Sequence, residues 1–379
     1  MLALCREHRL EHRTKHIALR YFLARELQQR GQLRLAYVAY EANTADIFTK
    51  ALAPGDHQRF CTLLARALPT EVERVCEHLA EVFQVKQIPR TTLFLGMNLE
   101  RNVEEKKLFL YQKKCCNRVQ QRFGQGFTKE ITTPLSGMAA NDTEQEEDVK
   151  QWGGEKKALQ MYQSMVGSVM YPVSCTKVDM AYAASYLGQH VQQGRKWREM
   201  KRAHSYLVQH DEEGLLFKGG EETLQLVGYA DASHASNKKT GKGAYGYVFL
   251  LGGTAIMWQA KKLADIALST AELEYMALFF ACQEGVWLRR LMKELDIIIE
   301  GPTVVKSDSK SAIDLARNDN WHGKTKHMNV KYHWVREQLE KQQFKFEFVP
   351  TEEQVADFLT KVVPVTYYPN YRANNQRSL

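Results

Sequence analysis

The chain has 379 residues, 44% of them hydrophobic and 25% charged, with a formal net charge of +8. That length predicts two or three domains, each long enough to bury a core, and the composition is that of soluble globular protein. The basic excess favours a polyanionic partner such as nucleic acid.

No apolar run is long enough to span a bilayer, so no membrane partner is expected. The seven cysteines are odd in number and show no CxxC or Cys/His finger spacing, which predicts free thiols in a reducing compartment. The opening MLALCREHRLEHRTKH carries charges where a signal peptide needs an apolar stretch. An intracellular protein, cytoplasmic or nuclear, is therefore expected.

The first feature along the chain is a repeat. Residues 14–50 align without a gap to residues 325–361, at a constant offset of 311. Thr14-Lys15-His16 recurs as Thr325-Lys326-His327, Ala45-Asp46 as Ala356-Asp357, and Thr49-Lys50 as Thr360-Lys361. Two distant copies do not make a solenoid. Residues 1–62 thus read as a partial duplicate of the tail at 324–363.

Residues 63–220 have a different, mostly helical texture. TEVERVCEHLAEVFQV is amphipathic, and TTLFLGMNLERN with KKLFLYQ reads as a hairpin. The acidic stretch 141–157 reads as a linker. MYQSMVGSVMYPV, VDMAYAASYLGQHV and REMKRAHSYLVQH read as helices.

A further domain is predicted over 221–365, with 366–379 a tail. LQLVGYAD, YGYVFLL and TAIMWQA read as an antiparallel meander turned at Gly252-Gly253. Ser269 and Glu272 form a capping box that opens a long helix through KEL. PTVVKSD is a fourth strand and DSKSAIDLAR a helix. The closing unit reads as helix, strand and a short helix opened by Thr351, with Gln354 in a capping-box position. The expected order is β-β-β-α-β-α-α-β-α.

Four acids stand at telling places. Asp231 ends the first strand of this domain and Asp308 the fourth, while Glu274 lies in the first turns of the long helix and Asp357 in the last helix. If the first and fourth strands are neighbours, Asp231 and Asp308 converge. Clustered carboxylates repel, and divalent cations with oxygen ligands relieve that repulsion. A lone Asp at a strand end is more often a turn or cap residue. Asp46, the repeat partner of Asp357, has no strand-borne acids before it and is read as inert.

YADAS (229–233), ALSTAELEYMAL (267–278), KSDSKSAIDLA (306–316), KTKHMNVKYHWVRE (324–337) and VPTEEQVADFLTK (349–361) together resemble the RNase H domain of copia-type LTR retrotransposon polyproteins. The resemblance implies an α/β (α+β) fold, an RNase H-like mixed five-stranded sheet with helices. It assigns catalysis and metal binding to Asp231, Glu274, Asp308 and Asp357. It implies two Mg²⁺ ions, with Mn²⁺ as a substitute, and cleavage of the RNA strand of an RNA–DNA hybrid.

Upstream, FLGMNLER (94–101), YQSMVGSVMYPVSCTKVDMAYAASYL (162–187) and KRAHSYL (201–207) resemble the thumb and connection region that follows a reverse-transcriptase catalytic site. The Tyr-x-Asp-Asp turn of a polymerase palm is absent, and the chain holds no adjacent Asp-Asp pair. Polymerase activity is not expected, and a reverse transcriptase or another retroelement protein is an expected partner. Lys261, Lys262 and His327 are the expected substrate contacts, with Lys238 and Lys239 beside them. The competing reading is a non-catalytic nucleic-acid-binding or decayed retroelement remnant.

Overall fold

The computed structural model describes residues 92–363 apart from 125–128, 137–152, 195, 221–223, 238–241, 265–266, 268, 296 and 318–325, and only the backbone of 234–237 and 326–330. All of these lie in one unit, Lys86–Leu379. The amino-terminal copy of the repeat, the amphipathic segment at 70–85, most of the acidic stretch 141–157, Lys238, Lys239 and the carboxy-terminal tail lie outside the described residues.

The first part is a four-stranded antiparallel sheet with helices. Strands β1 (Leu93–Phe94), β2 (Met97–Asn102), β3 (Lys107–Tyr111) and β4 (Gly214–Lys218) pair in chain order. The stretch expected as one strand at 91–102 is broken by a two-residue turn. Leu95 and Gly96 there take φ of 47° and 77°, the left-handed region that tight hairpins require. Strand β4 was not foreseen, because GLLFK is short and lacks alternation.

The helices are α1 (Lys113–Phe123), α2 (Glu155–Cys175), α3 (Ala181–Gln189) and α4 (Trp197–Gln209). Their apolar faces meet around Tyr162, Trp197, Met200 and Tyr206, all fully or almost fully buried.

The second part is a five-stranded mixed sheet. Its strands are β5 (Leu226–Asn237), β6 (Lys242–Leu251), β7 (Thr254–Lys262), β8 (Thr303–Ser307) and β9 (Phe344–Phe348), ordered β7-β6-β5-β8-β9. The meander β5–β6–β7 is antiparallel, while β8 and β9 add in parallel. Gly252 and Gly253, at φ of 57° and 83°, make the β6–β7 turn that the sequence predicts. Helices α5 (Thr270–Glu294), α6 (Lys310–Arg317) and α7 (Lys326–Glu340) cover one face. Ser269 caps α5 by accepting the Glu272 amide at 3.1 Å, as its sequence position predicts.

Strand alternation sorts the sheet residues between two cores. Ala230, Tyr247, Phe249, Val305 and Phe346 face α5–α7. Tyr229, Val248, Trp258 and Ala260 face the other way and share a core with α2–α4. The Trp258 indole donates to the Val173 carbonyl at 3.0 Å, and the Thr254 hydroxyl to the Leu216 carbonyl at 2.6 Å. The two sheets therefore belong to one packed body, continuous across residue 220. Trp258 is part of its core.

Two expectations need correction. Strand β5 does not end at Asp231 but runs to Asn237, held by β6 with an irregularity between Ser233 and Asn237. The segment 351–361 is not one α-helix. It forms 3-10 turns at Thr351–Glu353 and Val355–Leu359, separated by Gln354. The Gln354 side chain explains the break. It accepts from the Ala356 amide and donates to the Ala230 carbonyl, each at 3.1 Å, pinning the turn to β5.

Candidate active site

Register brings the first two acids together. Tyr229 of β5 pairs in parallel with Lys306 of β8, so Asp231 and Asp308 follow side by side, two residues on. Pairing of β5 with β8 stops at Tyr229, which opens a gap between the strands at the level of the acids. Such a divergence at the carboxyl ends of parallel strands is a recurrent place for a site.

The 3-10 turn Val355–Leu359 supplies the third acid. It packs against β6 at Gly246, the register partner of Asp231. A β-carbon at Gly246 would lie 2.5 Å from Leu359 Cβ, so only glycine permits this approach. Asp357 is thereby held over Asp231. One carboxylate oxygen from each of Asp231, Asp308 and Asp357 lies within 4.8 Å of the other two.

Glu274, in the second turn of α5, reaches the site from the opposite face of the sheet. It stands outside that tight group, accepts from the Ala232 amide, and feels the charges of Asp231 and Asp308. Its Oε2 is buried and has no hydrogen-bond partner among the described residues.

The electrostatics follow from burial. Asp231 is 2% exposed, Asp357 2% and Glu274 7%. Burial, then the neighbouring charges of Asp231 and Asp308, pushes the Glu274 carboxyl up to about 9. Asp231 rises to about 7, chiefly through burial, with Asp357 and Asp308 adding to it. Asp357 is raised by burial and by Asp308, against the pull of Lys361. Asp231, Glu274 and Asp357 each resist their own charge, the state that a divalent cation relieves. The donor set is all oxygen, and one buried oxygen stands unsatisfied, so these residues fit Mg²⁺ or Mn²⁺.

Several neighbours were not singled out from sequence. The Thr360 hydroxyl contacts the Asp231 carboxylate, and the Thr351 hydroxyl donates to Asp308 Oδ2 at 2.9 Å. Lys361 Nζ sits 2.8 Å from Asp357 Oδ1. Burial works against the Lys361 ammonium, but Asp357, Asp231 and Asp308 outweigh it and raise its pKa. The one signal in the sequence was the recurrence of Thr-Lys in both copies of the repeat.

Of the expected substrate contacts, Lys261 is exposed and Lys262 half-buried at the end of β7, two strands from β5. Lys262 pairs with Ala244, so alternation places it on the sheet face of Asp231, whereas Lys261 lies on the opposite face. His327 falls in α7, and its side chain lies outside the described residues. Among the described residues, no helix is long and apolar enough to cross a membrane.

No family model matches the chain. The retrovirus-related Pol polyprotein from transposon TNT 1-94 of Nicotiana tabacum is 36% identical over 289 residues, 76% of this chain and 21% of that protein. The chain is homologous to one stretch of the copia-type Pol polyproteins of transposons. The Pol polyprotein from transposon RE1 of Arabidopsis thaliana is 29% identical over 80% of this chain and 20% of its own length. The chain thus spans about a fifth of the length of these curated relatives of the Pol family. Among solved structures, LC11-RNase H1 in complex with an RNA/DNA hybrid aligns with 36% of this chain and 94% of its own. It is 17% identical, with a TM-score of 0.28.

Proposed function

We propose that residues 221–365 form an RNase H-type endonuclease that cleaves the RNA strand of RNA–DNA hybrids. The observation that carries this reading is the convergence of Asp231, Asp308 and Asp357 within 4.8 Å, with Glu274 beside them. All four belong to the five motifs shared with the family's RNase H domain.

In this reading Asp231, Asp308, Asp357 and Glu274 hold two divalent cations, Mg²⁺ first. Bound there, the ions supply charge neutralisation and activation of a water for phosphodiester hydrolysis. Thr360 and Thr351 orient the carboxylates of Asp231 and Asp308 through their hydroxyls. Lys361, now paired with Asp357, would yield that carboxylate to a bound cation. Lys262, on the face of Asp231, pairs with a backbone phosphate. A hybrid is distinguished from DNA duplex by its 2′-hydroxyls, displayed in a wide, shallow minor groove. DNA synthesis is not assigned to this chain, and other segments of a Pol polyprotein are its natural partners.

The test uses the full chain with end-labelled RNA in three forms: hybrid, RNA duplex and single strand. Cleavage of the hybrid alone, dependent on Mg²⁺ or Mn²⁺, is expected. Asp231→Asn should lower the rate by more than about 100-fold, beyond the usual effect of losing a partner of a metal ligand. Equal traces from the two proteins would overturn the reading.

A further inference from the structure

One strand outward from Asp308, on the α5–α7 face of the sheet from which Glu274 also reaches the site, stands an aromatic ring that the fold leaves half exposed. Phe348 closes β9 and is 47% exposed, although Phe344 and Phe346 on the same face of that strand are 2% and 1% exposed. Its register partner is Ser307, the residue before Asp308. Strand spacing and rise per residue therefore put its Cα about 6 Å from that of Asp308. Lys310, exposed at the start of α6, holds its ammonium 4.6 Å from the centre of the ring. The turn beyond Phe348 is tied to the site by the bond from Thr351 to Asp308.

We propose that Phe348 and Lys310 form a nucleotide-binding platform beside the acids, which seats the residue next to the scissile phosphate. The proposal rests on the nuclease reading and adds a subsite to it. An open aromatic face accepts any base or the apolar edge of a sugar. The ammonium beside it pairs with the phosphate of the same nucleotide while keeping its contact with the ring.

The experiment measures binding apart from cleavage. Full chain carrying Asp231→Asn is titrated into a fluorescent RNA–DNA hybrid, followed by anisotropy over a range of salt. Phe348→Leu, which keeps an apolar side chain but loses the ring, should weaken binding by about 5- to 150-fold, the range for one base stacked on an aromatic. Lys310→Gln should lower the slope of log affinity against log salt by about one. Melting temperatures matched to the parent show that the fold is kept. Lys310→Gln alters only an exposed residue, so it decides the matter even if Phe348→Leu is unstable. Weakened binding in a chain whose Asp231 form cleaves nothing supports the platform and counts only against the nuclease. Unchanged affinity and slope in a chain that does cleave hybrid would overturn the platform alone.

Discussion

Asp231, Glu274 and Asp357 are buried carboxyls whose pKa values all lie above the ordinary carboxylate range, and this sets the sign of the pH response. A folded state that holds protons more tightly than the unfolded chain loses stability as pH rises. For Asp231 and Glu274 the loss starts near the ordinary carboxylate range, about 4, and runs through about 7 and about 9. In chelator, the melting temperature should therefore fall between pH 5 and pH 9. A loss of ~2 kcal/mol corresponds to about 4–8 °C in a domain of this size. Mg²⁺ or Mn²⁺ should restore most of that loss at pH 8–9 and little at pH 5, where Asp231 and Glu274 hold their protons. A metal-free melting temperature that climbs with pH would mean that these carboxyls are not held as described.

At the scale of elements, Gly246 of β6 lets the 3-10 turn carrying Asp357 settle against the sheet. Gly246→Ala places a methyl 2.5 Å from Leu359 Cβ, with Thr360 also close. The variant should lose roughly 1–3 kcal/mol by overpacking. It should also bind Mn²⁺ more weakly, because the displaced turn moves Asp357. Thermal melts and metal titration read the two effects separately, and a stable variant with unchanged metal affinity would contradict this role.

Much of this geometry was legible in the sequence. The meander, its glycine turn and the capped start of α5 each follow from a local signal. The convergence of Asp231 and Asp308 needed only that β5 and β8 be neighbours. The rest depends on contacts remote in sequence. The run of β5 to Asn237 follows from pairing with β6. The 3-10 form of 351–359 follows from Gln354 bonding to Ala230, 124 residues away. Neither leaves a periodicity to read.

For the whole molecule, the shared core between the two sheets is the main consequence. The sheet face bearing Trp258, Val248 and Ala260 is covered by α2–α4, which precede residue 220 in the chain. A protein truncated to 221–379 would expose that face and lose the bonds from Trp258 to Val173 and from Thr254 to Leu216. It should melt at lower temperature than 86–379 and self-associate in sedimentation velocity. A monomeric 221–379 melting at the same temperature as 86–379 would show that the shared core contributes nothing. Activity tests therefore belong on the full chain, where the 3-10 turn keeps its packing on both sides.

The measurement that bears most directly on the acid cluster is a calorimetric titration of the full chain with Mn²⁺ at pH 8, beside Asp231→Asn and Asp308→Asn. Saturable binding of two ions by the parent, lost or weakened at least tenfold in each variant, is the expected result. Binding of the same strength in all three proteins would contradict a shared cation site at the ends of β5 and β8.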